Sequence, residues 1–379
     1  MNDGGPPSRS AAPPPARFDF AQAPLLVIWE TTRSCALACA HCRADADLTR
    51  DPRELSTRQG FSLIDQVAEM GTPILILSGG DPLVREDLEA LTRHAKERGL
   101  RVGTIPAATP ALTRKRLAAL KAAGLDQVAF SLDAATAAEH DAFRRAPGAY
   151  ARVMQGVRWA QDLGLPVQIN TCLGAWNIAT FDAIVALVGG LPIAFWEVFF
   201  LIPVGRGAAM GGLAPEEFEQ VFARLRQLSL EADFVVKLTE AQHFRRFVMQ
   251  TEASVGPDAA ARIERTVARP ASVRAGLSLP PRAVNAGDGF LFVDHLGGIC
   301  PSGFLPQVRG NLRTERLAHV YREDPLFVSL RDHARLGGKC GRCEYRQVCG
   351  GSRARAWATT GDHLAEDPAC AYVPRAAAH

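Results

Sequence analysis

The chain has 379 residues, 47% of them hydrophobic, and a formal net charge of +3. That length supplies one large domain with a smaller one beside it, and that hydrophobic fraction fills a sizeable core. So slight a positive excess does not imply nucleic acid binding, which needs a clustered basic face, and no apolar run approaches the roughly 20 residues that span a bilayer.

Residues 1–16, MNDGGPPSRSAAPPPA, are rich in Pro, Gly, Ser and Ala and hold no apolar stretch able to act in a signal peptide. They read as a disordered tail, and the cytoplasm is the expected location. From residue 17 to 230 short apolar runs alternate with segments of helical periodicity. Strands are predicted at 25–29, 74–78, 102–105, 128–132, 167–170 and 196–201, and helices at 57–70, 85–98, 110–123, 150–163 and 179–188. Returns at Gly99, Gly124 and Gly164 join them in the pattern of right-handed parallel crossovers. The fold class is therefore α/β. Six such units suit a partial, TIM-like (β/α)6 barrel, although periodicity alone leaves a doubly wound sheet open as well.

One more amphipathic helix is predicted at 215–230, opened by Pro215-Glu216-Glu217. Residues 231–285 read as a basic connector. From His243 to Arg282 they carry Arg245, Arg246, Arg262, Arg265, Arg269, Arg274 and Arg282 against Glu252, Asp258 and Glu264. Residues 286–379 read as a small α+β domain. Its GFLFVDHLGGICPSGF run, starting at Gly289, predicts a β-hairpin turning at His295-Leu296-Gly297-Gly298, with a helix near 317–321.

Nine cysteines in a chain without a secretion signal point to metal ligands or catalytic thiols rather than disulfides. Cys35, Cys39 and Cys42 stand together, Cys340, Cys343, Cys349 and Cys370 close the chain, and Cys172 and Cys300 lie apart. The C-x3-C-x2-C spacing falls directly after the first predicted strand, where a barrel holds its active loops. Four thiolates saturate a cubane iron–sulfur cluster, whereas three leave one iron open to an outside chelate. A zinc knuckle with His41 as fourth ligand is the alternative, but the adjacency of His41 and Cys42 makes joint ligation of one ion awkward.

This motif resembles the signature of the radical S-adenosylmethionine (SAM) superfamily. Ser78-Gly79-Gly80-Asp81-Pro82, at the end of the second strand, is similar to that family's GGEP motif with Asp in place of Glu. Two glycines let backbone approach a ligand closely, and their carbonyls with the Asp81 carboxylate can accept hydrogen bonds from the SAM ammonium. Ser131, Asp133 and Asn170 end later strands, and Leu201 opens the run Leu201-Ile202-Pro203-Val204-Gly205-Arg206-Gly207. They fall in the order in which related enzymes contact the SAM ribose, carboxylate and adenine. Arg144 and Arg206 are candidates to pair with the SAM carboxylate. Each of these positions is equally compatible with a strand-end cap or a surface charge. The resemblance implies a [4Fe–4S] cluster on Cys35, Cys39 and Cys42 that binds SAM. It also implies reductive cleavage to methionine and a 5′-deoxyadenosyl radical, and removal of a substrate hydrogen atom. The protein would then be an oxidoreductase served by a low-potential donor such as flavodoxin or ferredoxin.

Cys340, Cys343 and Cys349 form C-x2-C-x5-C, and Cys370 supplies a fourth thiol. Four cysteines suit a saturated cubane or a structural zinc ion. This run resembles the SPASM/Twitch extensions, which carry auxiliary clusters. Cys300 and Gly310 match the opening of the full SPASM pattern, but Glu315 and Arg353 occupy two of its cysteine positions. The resemblance implies one auxiliary [4Fe–4S] cluster on Cys340, Cys343, Cys349 and Cys370, positioned to accept an electron from a substrate radical. It leaves Cys300 packed inert, held near the substrate or recruited as a ligand, and Cys172 is expected in the core.

The closing run together with RFDFAQAPLLVIWETTRSCALACAHCRA resembles radical SAM enzymes of haem d1 and alternative haem biosynthesis. It implies oxidative chemistry on propionate side chains of an iron tetrapyrrole. The arginine-rich connector and Arg353 and Arg355 are candidates to meet such carboxylates, or else part of a solvated basic face. A radical SAM maturase of a ribosomally synthesised peptide is the second reading, and a non-catalytic zinc- or cluster-binding scaffold the third.

Overall fold

The computed structural model describes residues 18–253 and 282–375; the predicted tail and residues 254–281 of the predicted connector lie outside them. Seven strands, β1 (Leu26–Glu30), β2 (Ile74–Ser78), β3 (Arg101–Thr104), β4 (Gln127–Ser131), β5 (Val167–Leu173), β6 (Phe195–Phe200) and β7 (Val235–Thr239), pair in chain order, all parallel. Helices α1 (Thr57–Glu69), α2 (Leu88–Glu97), α3 (Arg114–Ala122), α4 (Ala137–Arg144), α5 (Ala149–Asp162), α6 (Phe181–Gly189) and α7 (Pro215–Glu231) connect them, and α8 (Phe244–Ala253) follows β7.

Side-chain parity decides between barrel and flat sheet. Val27, Trp29, Leu75, Leu77, Val128, Phe130, Ile169, Trp196 and Val198 are buried in one core with Leu63, Leu91, Leu117 and Val157 of the helices. The opposite parity carries Ile28, Ile76, Ala129, Gln168, Glu197 and Lys237, which line a cavity. A doubly wound sheet would cover both faces with helices and would be apolar on both. This sheet packs helices on one face and curls around a lumen on the other, as a partial barrel.

The six predicted strands are present, most displaced by one residue. Several features differ from expectation, among them helix α8 within the predicted connector. A seventh parallel strand, β7, lies in the stretch read as connector; its VVKLT pattern alternates, but Lys237 and the charge beyond it obscured the strand. Helix α4 was also missed, although Thr136 caps it with its side chain. The predicted hairpin does form, as β9 (Gly289–Val293) and β10 (Gly298–Cys300), but β9 lies parallel to β1 in the main sheet. That pairing covers the edge β1 would otherwise expose and buries Leu291 and Val293 completely. The short strands β8 (Asn285–Ala286) and β11 (Gly310–Asn311) attach to β9 and β10. Among the described residues no helix is long and apolar enough to cross a membrane.

Candidate functional site

The cysteine loop leaves β1 and is laced to its surroundings mostly by backbone. The Gly80 and Asp81 amides donate to the carbonyls of Thr32 and Ser34, each at 2.8 Å, and the Cys35 amide donates to Asp47 O at 2.7 Å. A Cβ on Gly80 would stand 2.5 Å from the Arg33 and Ser34 carbonyl oxygens, and one on Gly79 2.6 Å from Thr32 O. Only glycine lets the end of β2 lie this close to the loop. The segment after β6 closes the other side. Arg206 N–H donates to Cys42 O at 3.0 Å, and a Cβ on Gly205 would meet Arg43 O at 2.5 Å.

Cys35, Leu37 and Cys39 form a small buried cluster with Cys42 packed against it. Burial pushes the Cys35 thiol up to about 12, with Asp81, Cys39 and Cys42 adding to the shift against the Leu37 amide. A group that must ionise to ligate is thus protonated until a cation arrives. The His41 ring stacks on Phe143 at 4.6 Å rather than turning to the cysteines, and its Nδ1 is buried without a hydrogen-bond partner.

Several residues expected to touch SAM are committed elsewhere. Asp81 is fully buried; it accepts from Thr109 Oγ1 at 2.5 Å and from the Leu83 and Ala107 amides. Its carboxylate caps the turn after GGDP and is not presented to an ammonium, so within the motif only the glycine carbonyls remain for that part. Arg144 forms a buried ion pair with Asp133 and donates to Cys39 Sγ at 3.6 Å. Arg206 donates from Nε to Cys39 O at 2.9 Å and pairs with Asp45 at 2.8 Å. Both arginines hold the cysteine loop instead of standing free for a carboxylate. One atom, Arg206 Nη2, is buried with no partner, and buried donors of that kind call for a ligand. Asp133 also accepts from Cys172 N at 2.8 Å. Its burial opposes ionisation, but Arg144 and the histidines outweigh it and hold the carboxyl below its ordinary value.

Ser78 pairs opposite Glu30, Ser131 opposite Asn170, and Asn170 opposite Glu197, so these residues share the lumen rim. Leu201 is buried, its amide bonded to Leu173 O at 3.0 Å. Cys172 is on the strand face of Gln168 and Asn170, toward the lumen and not in the helix-packed core. Sequence reading passed over the polar ladder inside the barrel. Gln127 donates to Gln168 at 2.6 Å, Gln168 to Glu197 at 2.7 Å, and Lys237 to the other Glu197 oxygen at 2.7 Å. Strand alternation around Gln168 and Glu197 was the signal that could have found it. The cavity these residues line has a volume of about 310 Å³. Leu26, Ile28, Ile76 and Phe290 make one wall, and the charged lining groups are Arg101, Lys237, Arg245 and Arg282 against Glu197 and Glu240. A second missed group joins the two ends of the chain: Glu30 binds Arg43 at 2.6 Å and His295 at 3.0 Å.

At the C-terminus Cys340, Cys343, Cys349 and Cys370 line one small cavity with His243, Lys339 and Arg246. His243 is fully buried and neither ring nitrogen has a hydrogen-bond partner. Arg353, where a fuller SPASM pattern has cysteine, is 1% exposed, donates to His363 O and Ala365 O, and reaches Cys340 Sγ at 3.8 Å. Arg355 pairs with Asp367 at 3.2 Å in the interior. Neither arginine forms a solvated face or is among the residues lining the lumen cavity, because Arg353 is spent on buried carbonyls and Arg355 on the Asp367 ion pair. Glu315 accepts from Asn311 N and closes a turn. Cys300 is 1% exposed on β10, and it is not among the residues lining the four-cysteine cavity. Among the described residues no three Cys, His, Asp or Glu side chains converge closely enough to hold a single metal ion.

A barrel with a three-cysteine loop beyond β1 and a glycine-rich strand end against it defines a radical SAM protein. Residues 29–188 match the radical SAM superfamily, and the chain belongs to it. It is 36% identical over 356 residues to the AdoMet-dependent heme synthase of Nitratidesulfovibrio vulgaris, covering 92% of this chain and 93% of that one. The enzyme of the same name from Methanosarcina barkeri is also 36% identical, over 93% of this chain and 97% of its own length. Among solved structures, Streptococcus suis SuiB bound to S-adenosylmethionine superposes with a TM-score of 0.67 at 15% identity, over 93% of this chain and 78% of that one. The chain is thus a SAM-dependent enzyme with a [4Fe–4S] cluster.

Proposed function

We propose that this enzyme oxidatively modifies carboxylate side chains of an iron tetrapyrrole, with the SAM-binding cluster held by Cys35, Cys39 and Cys42. Cys340, Cys343, Cys349 and Cys370 would hold an auxiliary [4Fe–4S] cluster. The observation that carries the reading is the lumen cavity, apolar on one wall and bearing four cations against two carboxylates. A flat apolar ring with anionic arms matches that division. Its support from relatives is the 36% identity, along nearly the whole chain, to enzymes named heme synthase.

When bound, the cluster and SAM supply a 5′-deoxyadenosyl radical that removes one hydrogen atom from the substrate. The chain's own residues do the rest. Leu26, Ile28, Ile76 and Phe290 receive the ring, and Arg101, Lys237, Arg245 and Arg282 neutralise its carboxylates, Lys237 and Arg282 by exchanging their bonds to Glu197 and Asp288. The enclosing strands keep water from the reacting carbon. A propionate that gives up one hydrogen atom, one electron and carbon dioxide becomes a vinyl group. The four-cysteine region is where that electron would go, and a flavodoxin or ferredoxin would supply the reducing electron. A cytoplasmic location, where thiols stay reduced, fits such clusters.

The test is anaerobic incubation of reconstituted enzyme with dithionite, SAM and either an iron porphyrin bearing propionates or a precursor-like peptide. The proposal expects the porphyrin to lose carbon dioxide and to stimulate 5′-deoxyadenosine release. Modification of the peptide alone would transfer the reading to peptide maturation, the activity class of the PqqA peptide cyclase of Rhodopseudomonas palustris, 29% identical over 367 residues. Zinc in both sites, with no iron taken up, would leave a scaffold.

A further inference from the structure

Arg144 ends α4 far along the chain from the cysteine loop, yet its guanidinium is divided between two partners. Nε and Nη2 both face one oxygen of Asp133, Nε at 2.8 Å. The other Asp133 oxygen is taken by the Cys172 amide at 2.8 Å, and the Asp133 amide donates to His140 Nδ1 at 3.2 Å. The carboxylate is therefore fixed by β5 and α4 and cannot swing. With one edge of the fork docked on it, the remaining Nη1 points at Cys39 Sγ, 3.6 Å away, within reach for an N–H···S bond. Asp133 is 1% exposed and the Arg144 side chain 12% exposed, so water does little to screen this contact.

A buried ion pair is poorly explained by stability, since apolar side chains of equal volume serve as well or better. Here the pair has a third member. We propose that Arg144, held by Asp133, is a positioning residue that sets the reduction potential of the cluster bound through Cys39. The inference rests on the assignment of Cys39 as a cluster ligand. A cluster gains negative charge on reduction, and hydrogen bonds and positive charge at its sulfurs stabilise the reduced form. Arg206 offers an internal contrast, because it binds the carbonyl of the same Cys39 and not the sulfur.

The experiment is an anaerobic redox titration, followed by electron paramagnetic resonance, of wild type, Arg144→Met, Arg144→Lys and Arg206→Met, each reconstituted and without SAM or substrate. Arg144→Met should keep its iron and show about tenfold less reduced cluster at a fixed solution potential, about 59 mV for one electron. Arg144→Lys, which keeps the charge, should recover part of the shift, and Arg206→Met, which removes a bond to the Cys39 carbonyl and not to its sulfur, should shift the potential by less than Arg144→Met does. A fully loaded Arg144→Met with the wild-type potential overturns the inference. So does loss of the cluster from both Arg144 variants, which would make the arginine a scaffold for the loop. Failure of the wild type itself to load a cluster that responds to SAM would refute the assignment of Cys39 and not this role of Arg144.

Discussion

The two cysteine regions stand on different supports. Cys35, Cys39 and Cys42 rest on the ends of parallel strands, and three of the arginines around them are matched by carboxylates, Arg43 by Glu30, Arg144 by Asp133 and Arg206 by Asp45, while Arg33 binds the carbonyls of Ala44 and Asp45. The C-terminal cysteines stand on turns and short helices. There Lys339 Nζ binds Cys370 O, and Arg353 binds only carbonyl oxygens and Cys340 Sγ. Asp367, which gives its amide to Cys340 Sγ at 3.3 Å, is already paired with Arg355. For clusters of one type, unmatched cations beside the sulfurs raise the potential. A cluster in the second region, with Lys339 and Arg353 unmatched, would therefore take up an electron more readily than one in the first, where the Asp133 charge offsets part of what Arg144 contributes at Cys39.

Substitutions in each region should fail in different ways. Cys343→Ala gives the largest separation: product formation falls to background, while 5′-deoxyadenosine release stays within about twofold of wild type, both read by mass spectrometry. Loss of both activities together would erase the division of labour. Gly80→Ala comes next, because its Cβ must displace the carbonyls of Arg33 and Ser34. A shift of the loop by an ångström should cost about 100-fold in SAM cleavage, with iron content measured alongside. Asp367→Ala acts on stability, since it leaves Arg355 buried without its carboxylate. Urea denaturation should show a loss of about 3–5 kcal/mol.

The smallest effect concerns acid. Burial, with Arg144 adding to it against Asp133, lowers His140 from 6.5 to about 4. The unfolded chain therefore binds the proton first, so this stability is full well above pH 6.5 and is lost as the pH falls through 6.5 toward 4. Between pH 7 and 6 the His140 share of the loss should be about 0.7 kcal/mol; His140→Phe should remove that share and leave those of His41 and His243, which burial lowers as well.

Much of the first region was legible in the sequence, because its parts repeat local rules. An apolar strand, a turn residue and an amphipathic helix recur six times, and C-x3-C-x2-C and GGDP mark the ends of the first two strands. What escaped depended on distant neighbours. Asp81 looks like a ligand residue until Thr109 and the Ala107 amide are found on it. Arg144 and Arg206 look free until the loop more than a hundred residues upstream is folded against them. In the second region the spacing of the cysteines was readable. The burial of Arg353 and Arg355 was not, since a run of arginines ordinarily marks solvent. Strand β9 joined the barrel because β1 lacked a neighbour, which no local pattern announces.

The central claim is that three thiols, Cys35, Cys39 and Cys42, hold the iron centre on which SAM is cleaved. Its most direct test compares 5′-deoxyadenosine release by wild type and Cys39→Ala, both anaerobic, reconstituted and reduced with dithionite. The account predicts release from the wild type and none above background from the variant; cleavage that persists in Cys39→Ala would contradict it.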